Sequence, residues 1–421
     1  MTETGGRNAT TRHIPPKLAL AVGMPSMSAP EGWRWSPLTD LARLESGHTP
    51  SRRHPEYWGG IIPWIGIQDA RANDGRRIED TEEKTNPLGI ENSSARVLPE
   101  NTVCLSRTAS VGYVVVMGRP MATSQDFVNW VCSKNLDHNF LKYLFIAEDE
   151  DLLRFASGSV HQTIYFPEVK AFHICHPSLP EQQRIVGILD EAFDGIATAK
   201  ANAEKNLQNA RAIFESHLQS VFSHRGPGWV VRAVSDVAKH SLGKMLDKAK
   251  NKGEPKPYLR NLNVRWFTFD MTDLLKMPFL SEESAKYTAV KGDVLICEGG
   301  YPGRAAIWNE DYPVHFQKAL HRVRFHEPEH SKWFLYYLYV QDMSGELKQH
   351  FSGTGIQHFT GETLARFELP LPPLLELRHA VVKFDELSVE TQRLASLYER
   401  KLAALEALKK SLLHRAFTGQ L

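Results

Sequence analysis

The sequence predicts a mixed α/β (α+β) fold written twice. Two strand-rich globules stand in tandem, separated by two long helices that pair as an antiparallel coiled coil. Three observations predict this. Short motifs of the first half return in the same order in the second; each half opens on short β-type runs; each closes on an apolar seam of helical spacing.

The repeat is anchored at both ends. Gly32-Trp33, followed by Leu38, Asp40 and Ala42, returns 196 positions later as Gly228-Trp229, followed by Val234, Asp236 and Ala238. Ser157-Gly158-Ser159 with Gln162 returns as Ser352-Gly353-Thr354 with Gln357. Between them, Pro63-Trp64-Ile65 aligns with Pro257-Tyr258-Leu259, and Val103–Gly112 with Val294–Gly303. Gln125-Asp126-Phe127-Val128 aligns with Gln317-Lys318-Ala319-Leu320, and Phe140–Leu144 with Phe334–Leu338. A period this long marks a duplicated domain with an internal pseudo-two-fold repeat, not a solenoid unit. Unequal copies of one design suit a protein that reads two related but unequal targets.

The elements divide the chain as follows. Residues 1–31, rich in Gly, Pro and Thr, precede the repeat and read as a mobile tail; Leu18–Gly23 is too short and Pro-flanked for a secretory signal. Residues 32–180 and 226–375 form the globules, with strands expected at Thr102–Leu105, Tyr113–Met117, Phe127–Cys132 and Asp293–Cys297. Short helices are expected at Asn139–Phe145 and Lys332–Val340. Residues 181–225 and 376–421 are the long helices. Ile185, Leu189, Ala192, Ile196, Ala199 and Ala203 step by 4, 3, 4, 3 and 4, and the seam continues through Leu207, Ala210, Phe214, Leu218 and Val221. Val381, Phe384, Leu387, Leu394, Tyr398, Leu402, Leu405, Leu408 and Leu412 repeat the pattern. Each stretch would span roughly 60 Å at about 1.5 Å per residue. Pro180 and Pro373 stand where a helix can start, and Gly226-Pro227-Gly228 and Gly419 where one stops.

Composition bounds the function. A chain of 421 residues, 42% hydrophobic, can bury cores in two or more domains. Its formal charge of +1 implies few phosphate contacts for any DNA reader, and reliance on base edges or partners. Cys104, Cys132, Cys175 and Cys297 lack metal-ligand spacing and read as thiols of a reducing, cytoplasmic compartment. No apolar run reaches membrane-spanning length.

No catalytic motif stands out. Gly243-Lys244 lacks the rest of a phosphate loop, and Gly353-Thr354-Gly355 is a lone GxG. Pro15-Pro16 and Pro372-Pro373 lack the acid or amide and the aromatic that hold a flipped adenine. Glu82-Glu83-Lys84 and Glu346-Leu347-Lys348 have no Pro-Asp partner for a nuclease. We expect no catalytic, metal or cofactor-binding residues. A coiled-coil scaffold with two protein-binding globules is the alternative from another class.

On these residues the chain resembles the specificity subunit of type I restriction–modification systems. The resemblance rests on the Gly-Trp openings, on Leu179-Pro180-Glu181-Gln182-Gln183-Arg184-Ile185-Val186 at the first helix, on Gln125-Asp126-Phe127, and on Ala416-Phe417-Thr418-Gly419-Gln420-Leu421. Leu374-Leu375-Glu376-Leu377-Arg378 matches more loosely, and the initial tail is longer than the repeat needs. The resemblance implies that each globule is a target recognition domain reading half of a split, asymmetric site in double-stranded DNA, with the helices as spacer. It implies two methyltransferase subunits that bring S-adenosylmethionine, and motor-nuclease subunits for cleavage; this chain would be non-catalytic.

Base readers should be polar, able to reach a groove, and different between copies. Arg107, Thr108 and Ser110 face Tyr301 and Arg304; Gln125 and Asp126 face Gln317 and Lys318; His161 and Gln162 face Gln357 and His358. Arg107 suits guanine O6/N7, and the glutamines suit adenine N6/N7. A surface ion pair for Arg107 and a loop-bracing role for the glutamines stay open. Phosphate contacts are expected from Arg52, Arg53, Lys244, Lys248 and Lys250, for which a plain solvated face is the other reading.

Overall fold

The computed structural model describes residues 19–22, 28–108, 110–158, 162–247 and 251–421. They fold as two compact units: one runs to Ala203 and takes back Arg400–Leu421, and the other is Glu204–Glu399. Both long helices, Leu179–Ser223 and Leu374–Phe417, are therefore shared between the units.

In the first unit a five-stranded sheet runs in the order Ala42–Ser46, Phe127–Cys132, Val103–Ser106, Val114–Met117, Arg77–Ile78. The second unit repeats its first four places with Ala238–Leu242, Leu320–Phe325, Val294–Cys297 and Ala305–Ile307. The central strands Val103–Ser106, Val114–Met117 and Val294–Cys297 are apolar runs buried throughout, whereas the edge strands Ala42–Ser46 and Ala238–Leu242 carry exposed polar residues. The short helices form at His138–Glu148 and Glu329–Met343. Asp137 starts the first by accepting from the Asn139 and Phe140 amides at 2.8 and 3.1 Å, the usual N-cap arrangement.

Each unit closes its core against both long helices. In the first, Ile185 and Leu189 pack with Leu413, Ala416 and Phe417 around Phe140. In the second, Phe214, Leu218 and Phe222 pack with Leu377 and Phe384 around Trp333. Within each unit the helices run antiparallel. Arg184 and Lys200 meet the Leu421 backbone oxygen and Glu406 at 2.7 and 2.6 Å. Arg211 meets Glu399 at 3.0 Å, while His217 and Phe222 meet Phe384. A Tyr–Asp hydrogen bond pins globule to helix in both: Tyr143 to Asp190, and Tyr336 to Asp385. Gln182, fully buried, accepts from the Asp137 amide at 2.9 Å and donates to the Pro177 oxygen at 3.1 Å. Leu377 fills the matching place with apolar packing.

Three expectations need correction. The tail reading of 1–31 does not hold for Ala19–Leu20, a buried strand parallel to His173–His176; the Ala19 oxygen also accepts from Arg154 at 2.9 Å. The seam does not pass through Leu408, which is 47% exposed; Leu413, Ala416 and Phe417 face the core instead, because a helix of 3.6 residues per turn drifts off a strict heptad. The repeat register also slips by one. Phe127 pairs with Ser106, and Leu320 with Cys297, so Phe127 matches Leu320 and Gln125 matches Lys318 rather than Gln317. The Tyr–Asp bonds likewise match Phe140 to Trp333, not Phe334.

Candidate nucleic-acid interface

In each unit one residue ties three loops into a node. In the first it is Arg107. Its amide donates to the Asp126 oxygen at 2.8 Å, and its own oxygen accepts from the Ile164 amide at 2.8 Å. In the second it is Glu298, whose amide donates to the Ala319 oxygen and whose oxygen accepts from the Phe359 amide, both at 2.8 Å. The adjoining turn closes identically, with Gly112 donating to the Ser106 oxygen and Gly303 to the Cys297 oxygen at 3.0 and 2.9 Å. Both glycines need the left-handed conformation, at φ 110° and 83°. The third loop is pinched by matched bridges, Ser157 to Thr163 and Ser352 to His358. A Cβ on Gly47 would strike the Ser124 carbonyl, and one on Gly243 the Gln317 carbonyl, so the approach of the fourth loop is also matched.

Side chains at the two nodes are unlike. The half-buried Arg107 guanidinium lies over Phe166, 5.0 Å from its ring centroid, and donates to the Gln125 oxygen at 3.1 Å. It therefore braces its loops, which the ion-pair reading did not foresee. Thr108 Oγ1 meets Thr163 Oγ1 at 2.8 Å, and the Ser110 oxygen accepts from Ser106 Oγ at 2.5 Å. Gln125 is exposed and accepts from Thr49; the Asp126 carboxylate accepts from Ser124 at 3.0 Å. Gln162 is exposed.

Around Glu298, Gly299 takes the place of Thr108, and a Cβ there would lie 3.1 Å from His358 Nδ1. The Tyr301 hydroxyl donates to Asp342 at 3.0 Å, and Arg304 lies over its ring while donating to the Asn261 oxygen at 3.1 Å. Gln357, His358 and Lys318 are exposed; Gln317 is half-buried. Beneath them His321, fully buried, donates from Nε2 to the Phe359 oxygen at 3.0 Å, and burial lowers its pKa. The Cys297 thiol is pushed up to about 11 by burial, which removes it as a nucleophile.

Of the expected phosphate contacts, Lys244 is corrected and Arg52 is found in an ion pair. Arg52 forms a bidentate ion pair with Glu83, one bond at 2.6 Å, and lies over Trp58 at 4.1 Å. Lys244 is buried, paired with Glu283, and donates to the Pro278 oxygen at 2.9 Å. Lys244 is thus satisfied inside the fold, whereas the Arg52–Glu83 pair stands on the surface. Arg53 stays exposed. Lys248, Lys250 and His161 lie outside the described residues. Among the described residues no group of three or more His, Cys, Asp or Glu could hold a metal, and no helix is long and apolar enough to cross a membrane.

Sequence reasoning set the loop that begins at Glu298 opposite the Arg107 loop as a reading candidate but not Glu298 as a node, because that role is carried by backbone bonds to residues far away in the chain. It also missed Leu262 and Ile356, which are 60% and 75% exposed beside that node. Apolar side chains did not fit a search for polar readers.

Comparison with known proteins agrees with this duplicated architecture. The type I restriction modification DNA specificity domain family matches twice, over residues 30–208 and 227–397. The chain is similar to the type I restriction enzyme MjaIX specificity subunit of Methanocaldococcus jannaschii, 28% identical over 233 residues, 51% of this chain and 53% of that one. It is also similar to the EcoR124I/EcoR124II specificity subunit of Escherichia coli, 28% identical over 39% of this chain and 42% of that one. The chain thus spans about half, or less, of the length of the curated relatives it matches. Among solved structures, a chain from a type I R-M system aligns with a TM-score of 0.73 at 20% identity, covering 94% of this chain and all of that one. The HsdS subunit from Thermoanaerobacter tengcongensis aligns at 0.62 and 22% identity, covering 94% and 98%. These share the fold. With its two globules, two nodes and both matched segments, this chain belongs to the type I restriction modification DNA specificity domain family.

Proposed function

We propose that this chain is the DNA-recognition subunit of a type I restriction–modification complex. Each unit reads one half of a bipartite, asymmetric site in double-stranded DNA. The observation that carries the reading is the matched pair of nodes with opposite charge, Arg107 against Glu298, on one backbone design. A duplicated scaffold with unlike side chains at its centre suits two related but unequal targets. The exposed Gln125, Gln162, Gln357 and His358 are the base-reading candidates beside those nodes, and Arg53 and Lys318 the phosphate contacts.

The long helices act as the spacer and the dock for two methyltransferase subunits. Those partners bring S-adenosylmethionine and flip the adenine; motor-nuclease subunits carry out cleavage. This chain supplies position and sequence choice only. Mapping methylated adenines in a host genome with and without the gene tests the reading. The expected result is one split motif that vanishes with the gene; an unchanged methylation map rejects it. A scaffold that binds only proteins would show no sequence preference in a gel shift with its methyltransferase partner.

A further inference from the structure

Three positions around the nodes change character between the units. Leu262 corresponds to Gln68, because the Arg260 amide donates to Asn263 as the Gly66 amide donates to Asp69, both at 2.9 Å. Tyr301 corresponds to Ser110 inside turns of equal length, and Ile356 to His161 inside loops of equal length. The second unit is thus apolar at each place where the first is polar. Leu262, Tyr301 and Ile356 are 60%, 45% and 75% exposed. Their segments are tied together: Asn261 Nδ2 donates to the Gly299 oxygen at 3.0 Å, and Gly299 also faces His358. The Tyr301 hydroxyl is already held by Asp342 and Arg304 lies over one face, so the side chain offers the rest of its ring.

These three side chains are poorly suited to phosphates, which fall to Lys318 beside them. Apolar groups gain nothing from phosphates, and the Glu298 carboxylate at the centre of this surface repels them. The surface suits base edges in the major groove, where a carboxylate accepts from the exocyclic amine of cytosine and apolar side chains meet the thymine methyl. We infer that the second unit selects its half-site through contact with thymine 5-methyl groups, with Ile356 as the principal contact and Leu262 and Tyr301 beside it. This rests on the DNA-recognition reading above.

The test is a thymine-to-deoxyuridine scan of the mapped site, one position at a time, with affinities measured for the full chain and for Ile356→Ala. Removing one contacted methyl should weaken binding of the natural chain about fourfold, the effect of losing one buried methyl-sized group. Ile356→Ala should bind the thymine site about fourfold or more weaker and no longer sense that methyl. The side chain is exposed, so its truncation leaves the fold intact; Leu262→Ala gives a second, independent probe. Sequence-specific binding with no methyl dependence in either half-site, or methyl dependence that survives both substitutions, overturns the inference and leaves the DNA-recognition reading standing. Absence of any sequence-specific binding overturns both.

Discussion

At the centre of the first unit a guanidinium is stacked on Phe166 and bonded to a loop carbonyl; at the same backbone position the second unit carries a carboxylate. The amide and carbonyl bonds around the two residues superimpose one for one in partner and nearly in length. Selection of loop geometry and selection of loop chemistry are therefore separable in this molecule. Backbone bonds, glycines in the left-handed region and the Tyr–Asp pins fix where the loops stand. The side chains at those fixed positions are then available to differ.

The largest expected effect probes the shared part. Trp333 and Phe140 are fully buried and occupy the same place, Trp333 against Phe222 and Trp229, Phe140 against Phe417 and Trp33. Trp333→Ala should cost the second unit about 3–5 kcal/mol, and Phe140→Ala the first unit a similar amount. Hydrogen exchange resolved by peptide checks this, with loss of protection confined to the unit that carries the substitution. Loss in only one of the two variants would break the equivalence.

A smaller effect should separate the units by pH. Burial, partly offset by Arg154 at 2.6 Å, pushes the Glu148 carboxyl up to about 7. In the register that pairs Phe140 with Trp333, the second unit has Gln341 there. A raised carboxyl binds its proton more tightly folded than unfolded, so its contribution is complete below about 4.5 and is lost as pH rises to about 7. The first unit should lose on the order of 2 kcal/mol across that window, and the second should not. Exchange protection followed from pH 4.5 to 7 measures it, and Glu148→Gln should abolish the slope.

Substitutions at the readers come next. Arg107→Ala, which removes the brace on the loop carrying Gln125, should relax base choice in the first half-site alone. Glu298→Ala should alter the other half-site alone; equal loss on specific and random DNA would remove either node from sequence choice. Lys318→Ala should give the smallest effect, a uniform weakening across sequences with the salt slope lowered by about 1. An unchanged slope in a salt titration would count against its phosphate contact.

Much of the fold was legible because the duplication leaves paired anchors in the sequence, Gly32-Trp33 with Gly228-Trp229 and Ser157-Gly158 with Ser352-Gly353. The strand register was not. Matching Gln125 to Gln317 and Phe140 to Phe334 followed side-chain identity, whereas equivalence is set by backbone bonds that no side chain announces. The strand at Ala19–Leu20 carries no periodic signal, since its partner His173–His176 lies far along the chain. The partners of two basic candidates were hidden for a related reason. Charge on Arg52 and Lys244 is visible in sequence, but Glu83 and Glu283, which neutralise it, are brought there only by folding.

The most direct test of one scaffold with two unlike readers compares methylated-adenine maps from hosts carrying the natural gene, Arg107→Ala and Glu298→Ala. A split motif is expected in which each variant relaxes bases of a different half, with the spacing between halves unchanged. Variants that alter the same half, or that shift the spacing instead of the bases, would contradict it.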